Sequence, residues 1–219
     1  VWMQGGSLFT EEGLANLNSE EVVNALQLWR DLLDSGNCNE TPGRSVSDIS
    51  ILTNGETAMQ INGSWSVLRA DPEKYGVVPL PAATANGNTA SVAGGWNVMV
   101  NNQNGEEKIA GAKDFISWMW LNKDHVTEFN TKAKFSYCMR ESVIEAGKDV
   151  YQSSENAIVF SEEVLQTAKP EIALSGEAKE IVATMIQDAL YNTSAQEAAD
   201  NAQESMLQYQ KESGAKFSG

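Results

Sequence analysis

A chain of 219 residues, 42% of them hydrophobic, is long enough for one ample domain or two smaller ones with real cores. Its 30 acidic against 15 basic residues leave a formal net charge of -15 and a pI near 4.4, so a nucleic acid would be repelled rather than gripped. No apolar run approaches the roughly 18 residues that mark a spanning helix, and the opening VWMQGGSLFT has neither a basic n-region nor an apolar h-region.

That opening also lacks a starting methionine and reads as the interior of a domain, which sets up the expectation of a fragment. After the Gly5-Gly6 turn, Asn18 and Glu21 are placed to cap a helix that carries Val22, Val23, Leu26, Trp29 and Leu33 on one face and ends at Gly36. A loop with Cys38 and Pro42-Gly43 leads to a short helical patch over 48–52, stopped by Asn54-Gly55. Residues 58–61 and 75–80 read as strands, the second closed by Pro79 and Pro81. A small, polar loop over 82–91 then delivers the chain into Gly94-Gly95 and an alternating strand with Trp96, Val98 and Val100.

Asn104-Gly105 opens an amphipathic helix with Ile109, Ala112, Phe115, Ile116, Met119 and Trp120, and a second helix is predicted over 124–131. Residues 134–140 are aromatic and aperiodic, a loop. The last third reads as helices over 161–168 and, after Lys169-Pro170, over 175–191, with a capping box from Ser194 to Glu197 starting a helix that runs to about Lys211. Short strands between helices make the class α/β, with too few strands to complete a doubly wound sheet.

Signatures of catalysis are missing. His125 is the only histidine and sits at the start of an ordinary helix, where it reads as solvated or capping. There is no GxSxG, HExxH, P-loop or GxGxxG, and Asp48 with Glu56 lacks calcium-loop spacing. A carboxylate-dependent glycoside hydrolase needs only two acids at a suitable separation, which leaves Glu56, Glu141, Glu145 and Glu177 as candidates, each in a place where solvated faces carry acids. Cys38 and Cys138 have no CxxC partner and read as free thiols, with a disulfide between them as the alternative. Neither a cofactor nor a metal is expected.

Tryptophan is more informative. Trp29, Trp118 and Trp120 fall inside helical periodicity and read as core or interface, whereas Trp2, Trp65 and Trp96 each lie beside glycine or small polar residues at the edge of an element. A ring held in such a place offers its face to the C–H side of a pyranose while neighbouring amides bond the hydroxyls. Packing of the same rings in domain seams, as in a structural or adhesion module, is the other reading.

The segments NGETAMQINGSW, YGVVPLP, AGGWNVMV and EEKIAGAKDFISWMWLNK, in that order, resemble the carbohydrate-binding family of ABC-transporter extracellular solute-binding proteins, relatives of maltose-binding protein. WMQGGSLFTEEG with the helix after it, and the terminal run from Lys169 to Met206, resemble the family's ligand loop and closing helices. The resemblance implies a periplasmic-binding-protein-like two-lobe fold of type II, with 1–92 and 141–219 in the C-terminal lobe, 93–140 as hinge and return to the N-terminal lobe, and much of that lobe absent from the chain. It implies a Gly-x-Trp turn, Gly63 and Trp65, that sets a ring against bound sugar. Trp2, Gln4, Gly5, Gly94, Gly95, Trp96, Asn97, Tyr137 and Arg140 complete the implied ligand-binding set. In the segment with Tyr137 and Arg140 the family's proline is missing, and the closing helices lack the aromatic pair of some maltodextrin binders.

Implied partners are a carbohydrate ligand and the transmembrane subunits of an ABC permease, with no nucleic acid, and with a membrane only through a missing N-terminal anchor. The implied location is extracytoplasmic, as a cell-surface lipoprotein or in the periplasm. With sheet partners missing, the apolar face of Phe115, Met119 and Trp120 is expected to lack cover.

Overall fold

In the computed structural model, residues 1–39, 48–83, 87–133, 135–138 and 140–218 are described. The expected Pro42-Gly43 loop lies outside them, as do parts of the loops over 82–91 and 134–140. In chain order the helices are α1 (Glu20–Asp34), α2 (Ser50–Thr53), α3 (Glu106–Ile116), α4 (Lys123–Glu128), α5 (Glu141–Ala146), α6 (Lys148–Tyr151), α7 (Glu155–Val159), α8 (Gly176–Tyr191) and α9 (Ala195–Ser213). The strands are β1 (Ser91–Ala93) and β2 (Ala168–Pro170). The chain divides into two compact units, one of Val1–Pro42, Leu80–Gly94 and Thr167–Gly219, the other of Gly43–Pro79 and Gly95–Gln166.

The first unit is built on α1, α8 and α9. Helix α9 buries Ala195, Ala198, Ala199, Ala202 and Met206 along one face, and its small side chains allow the close approach of α8, which buries Ala178, Met185 and Ala189. Val22 and Leu26 of α1 and Leu17 before it close the same core. The predicted Ser194 cap forms, its hydroxyl accepting from Glu197 N–H, and Ser175, read as the first residue of its helix, instead caps it by accepting from Ala178 N–H. At the far end of α9, Gly214 takes the left-handed conformation (φ 70) that stops a helix.

The α1 cap differs from expectation. Ser19 holds the cap position with no side-chain cap bond, and Asn18 instead donates to Asp200 Oδ1 at 2.9 Å. Trp29, expected in the core or an interface, is 44% exposed.

Irregular backbone before α1 is held by side chains of α9. Gln210 Oε1 accepts from Ala15 N–H (2.9 Å) while its Nε2 donates to the carbonyls of Gly13 (2.8 Å) and Ala215 (3.3 Å). Gln203 Oε1 accepts from Leu17 N–H (2.7 Å) and its Nε2 donates to the Ala15 carbonyl (3.0 Å). The seven-residue spacing puts both amides on one helix face, where they do for 13–17 what a neighbouring strand would do.

Where β1 pairs with β2 the ladder is parallel, with Ser91 opposite Ala168, Val92 opposite Lys169 and Ala93 opposite Pro170. Glu171 N–H extends it by donating to the Ala93 carbonyl at 3.0 Å. The expected helix over 161–168 is met by helical turns as far as Thr167, with Ala168 in the strand instead. A π-helical turn (Phe160–Val164) and a 3-10 turn (Leu165–Thr167) run straight into β2, because the backbone from Ala168 onward bonds to β1.

The strands expected over 58–61, 75–80 and 96–100 do not form; among the described residues the only ladder is β1 with β2. Strand propensity without a neighbouring strand leaves the ladder groups to other partners. Asn156, itself buried, brackets one such segment: its Oδ1 accepts from Val77 N–H (2.9 Å) and its Nδ2 donates to the Tyr75 carbonyl (2.8 Å). Met59, Val78, Trp96 and Met99 on these stretches are each more than three-quarters exposed.

Phe115 is exposed as expected, while Met119 and Trp120 are half-buried, Trp120 edge-on to Phe129 with centroids 5.0 Å apart. Helices α5, α6 and α7 are additions to the sequence reading. The core here is aromatic, with Phe135, Tyr137, Tyr151 and Phe160 packed around Val67 and Ala157.

Replacing Gln210 by Leu removes the partner of Ala15 N–H without changing much volume, while the Gly13 carbonyl keeps its bond from Phe217 N–H. We expect a loss of about 1–3 kcal/mol for the stranded N–H. The checks are chemical denaturation and accelerated amide exchange at Ala15; unchanged exchange there would contradict the bracing role of α9.

Candidate functional site

Glu56, Glu141, Glu145 and Glu177 are exposed, and among the described residues no group of three or more His, Cys, Asp or Glu could hold a metal ion. Cys38 and Cys138 are free and half-buried. His125 lies against Trp118, ring centroids 4.3 Å apart, with Nδ1 2.7 Å from the Trp118 carbonyl, so it fastens α4 to the turn before it. No helix among the described residues is long and apolar enough to cross a membrane.

Trp2, Gln4, Gly5 and Gly94 belong to the first unit. Trp2–Gln4 forms a 3-10 turn closed by Gln4 N–H on the Val1 carbonyl (2.9 Å) and Gly5 N–H on that of Trp2 (3.0 Å). Gly5 exits with φ 86, the left-handed region that favours glycine. The Trp2 ring is half-buried, and Lys169 Nζ of β2 stands 5.7 Å from its centroid. Gly94 follows β1, and a Cβ there would sit 3.1 Å from Glu171 Oε2. Lys169 and Glu171 were not expected at the site from sequence; charged residues flanking a proline carry no signal that separates them from a solvated strand end.

Trp65, Gly95, Trp96, Asn97, Tyr137 and Arg140 belong to the second unit. The turn around Trp65 is built from its sequence. Asn62 Oδ1 accepts from Gly63 N–H (2.8 Å), and Ser64–Ser66 then makes one 3-10 turn that brings the indole back over Gly63. A Cβ on Gly63 would lie 2.4 to 2.6 Å from three ring carbons. Its φ of -102 is open to any residue, so glycine is required here for the ring and not for the backbone. Val67, immediately after the turn, is buried in the aromatic core and anchors it.

Gly95, Trp96 and Asn97 are exposed on an extended segment, Trp96 at 90%. Tyr137 is turned into the core, stacked on Tyr151 (4.3 Å, 24°) and on Phe160 (5.6 Å, 29°). Arg140 Nη1 donates to the carbonyls of Trp120 (3.4 Å) and Leu121 (3.3 Å), where a helical turn ends and carbonyls are otherwise unpaired. The geometry therefore joins Trp2 to the end of β2 and Gly63 to Trp65, and gives Tyr137 and Arg140 packing and capping partners within their own unit. A groove of about 250 Å³ between α8 and α9, lined in part by Glu180, Ile181 and Met185, includes none of these residues.

A family model described as "Bacterial extracellular solute-binding protein" matches residues 1–157, and the chain belongs to that family. Its fold is that of the periplasmic-binding-protein-like class. The solved structure "Maltose bound T. maritima MalE3" is similar with a TM-score of 0.77 and 24% identity over 95% of this chain and 55% of that one. The cyclic alpha-maltosyl-1,6-maltose binding protein from Arthrobacter globiformis is similar with a TM-score of 0.61 and 25% identity over 96% and 54%. The chain thus spans little more than half the length of these structures. No curated protein matches it.

Two outcomes follow from the second unit. Gly63→Ala should push the Trp65 indole off its seat, shifting the tryptophan emission and near-ultraviolet dichroism at a cost of about 1–3 kcal/mol; unaltered spectra would show the ring is not held there. Burial pushes the Tyr151 phenol up to about 12 from its ordinary value of 10.0, and Tyr137 and Cys138 beside it act the same way. The folded state thus favours the neutral phenol, so its contribution is complete below pH 10.0 and is lost as pH rises through about 12. Tyr151→Phe should flatten that alkaline decline, read by denaturation midpoints across the same range.

Proposed function

We propose that this chain is the sugar-contacting part of an extracellular solute-binding component of an ABC importer. In this reading it captures a sugar or oligosaccharide between two lobes and delivers it to the permease, without catalysis of its own. The observation that carries the reading is the Asn62-Gly63-Ser64-Trp65 turn, in which a large, half-buried amphipathic ring is held against a glycine two residues before Val67 enters the aromatic core. A ring of that kind suits the apolar face of a pyranose. Membership of the solute-binding family and likeness to a maltose-bound protein and a cyclic alpha-maltosyl-1,6-maltose binding protein support the same direction.

Lobe boundaries near 92 and 140, and a location outside the cytoplasm with a lipid anchor on a longer precursor, belong to the same proposal. The boundaries concern the whole-length fold of such proteins, whereas the compact units reflect contacts within this chain. Trp96, exposed beside Gly94-Gly95, is proposed as a second ring of the cleft.

The test is intrinsic tryptophan fluorescence during titration with a panel of mono- and oligosaccharides. A saturable response is expected, weakened about ten-fold or more by Trp65→Ala. Saturable binding that survives Trp65→Ala unchanged would remove that ring from the site, and the absence of any sugar response would overturn the sugar reading.

A further inference from the structure

The turn that seats Trp65 also holds a nucleophile against an electrophile. Asn62 Oδ1 accepts from Gly63 N–H at 2.8 Å, which puts the side-chain amide carbon Cγ, one bond further on, no more than about 4 Å from that nitrogen. Among the described residues no backbone carbonyl accepts from Gly63 N–H. At the other end of the amide, Asn62 Nδ2 is buried without a hydrogen-bond partner, so nothing ties the group that would leave. Residues 62–66 are half-buried, and solvent reaches the turn.

We propose that Asn62 is a self-modification site, at which the turn converts its own amide to a carboxylate through a cyclic imide. Gly63 N–H gives its proton to solvent base and the nitrogen attacks Asn62 Cγ. The new N–Cγ bond forms as the Cγ–Nδ2 bond breaks, and Nδ2 takes a proton from water and leaves as ammonia. Water then opens the imide at either carbonyl, with no oxidant or reductant involved. Attack at Cγ gives aspartate on an unchanged main chain; attack at the Asn62 backbone carbonyl carbon gives isoaspartate, whose main chain runs through Cγ and is one carbon longer. The turn supplies the ordering of the two reacting atoms that a free chain must find by chance.

The ring and the reaction demand the same residue. A Cβ on Gly63 would lie 2.4 to 2.6 Å from three ring carbons of Trp65, so the seat requires glycine, and glycine is also the residue that leaves the attacking nitrogen least hindered. Two other Asn-Gly pairs lie among the described residues and differ from this one. In Asn54-Gly55 both reacting groups are occupied, Gly55 N–H donating to the Leu52 carbonyl (3.0 Å) and Asn54 Nδ2 to Glu56 Oε1 (3.2 Å). Asn104-Gly105 is exposed just before α3 and serves as an unheld reference. Either product places a negative charge ahead of the Trp65 ring; on the sugar reading given above, affinity falls as the converted fraction rises.

Peptide mapping by mass spectrometry, with enzymatic methylation to mark isoaspartate, tests the assignment on the full chain held at mildly alkaline pH, folded and in urea. Asn62 should convert at least as fast folded as in urea. Asn54 should convert about two- to ten-fold more slowly when folded, the factor carried by one ordinary hydrogen bond. Asn62→Gln, which would have to close a larger ring, should abolish conversion at this position with the far-ultraviolet dichroism unchanged. An Asn62 that stays intact in the folded chain while Asn104 converts, or that converts faster once unfolded, would overturn the proposal and leave the sugar reading untouched. Fluorescence titration with maltose follows the consequence: affinity should decline with the converted fraction in the wild-type chain and hold steady in Asn62→Gln, and a decline common to both would overturn that link. A fresh chain that binds no sugar overturns the sugar reading and leaves the mapping result standing.

Discussion

Side-chain amides supply backbone partners that a larger sheet would otherwise provide. A buried peptide N–H or carbonyl left without a partner costs about 1–3 kcal/mol, enough in a few copies to decide whether a small unit folds. In the first unit Gln203 and Gln210 meet this demand for the stretch before α1, and in the second Asn156 does so for Tyr75 and Val77. The packing that follows depends on those bonds. Leu17 is fully buried because its backbone is fixed to Gln203, and the Phe9 and Phe217 rings meet at 4.9 Å because Phe217 N–H reaches the Gly13 carbonyl while Gln210 holds that same carbonyl from the other side.

The candidate site draws on this scaffold. The Trp65 turn is carried by Val67 in the aromatic core, and the Trp2 turn packs against α1 with Lys169 of β2 near its ring. Each ring thus sits on an element whose own position is set by buried contacts, the arrangement that lets a binding residue be rigid without being enclosed. Tyr137 and Arg140 serve the frame in this chain: one stacks in the core, the other satisfies the carbonyls at the end of a helical turn.

Much of this was readable in the residues, and the parts that were not share a cause. Long amphipathic helices such as α1, α8 and α9 repeat their apolar positions often enough to be seen, and the Ser194 cap is a local signal. Helices α5 to α7, of four to six residues, span too few turns to show a period. Residues 58–61, 75–80 and 96–100 carry strand composition, but whether a strand forms depends on a neighbour that composition does not name. The Trp65 turn was legible because Asn62-Gly63-Ser64 interrupts periodicity just before the ring. Lys169 and Glu171 were not, since only the parallel register with β1 gives them a common face. The amide brackets leave no trace either, because glutamine on a helix looks like an ordinary polar position.

The order of the chain gives the β1–β2 pairing a temporal meaning. Val92 and Lys169 are opposite each other in register, yet all of residues 95–166, most of the second unit, lie between them. A chain emerging from its N-terminus therefore carries β1 without a partner until that insertion has been synthesised. Closing so long a loop adds only about 0.6 kcal/mol for each doubling of its length, so the delay burdens folding rate far more than final stability. The edge where β2 meets β1 is accordingly made only after the insertion, and because that insertion holds most of the aromatic core, an insertion that folds slowly delays the core and the edge together.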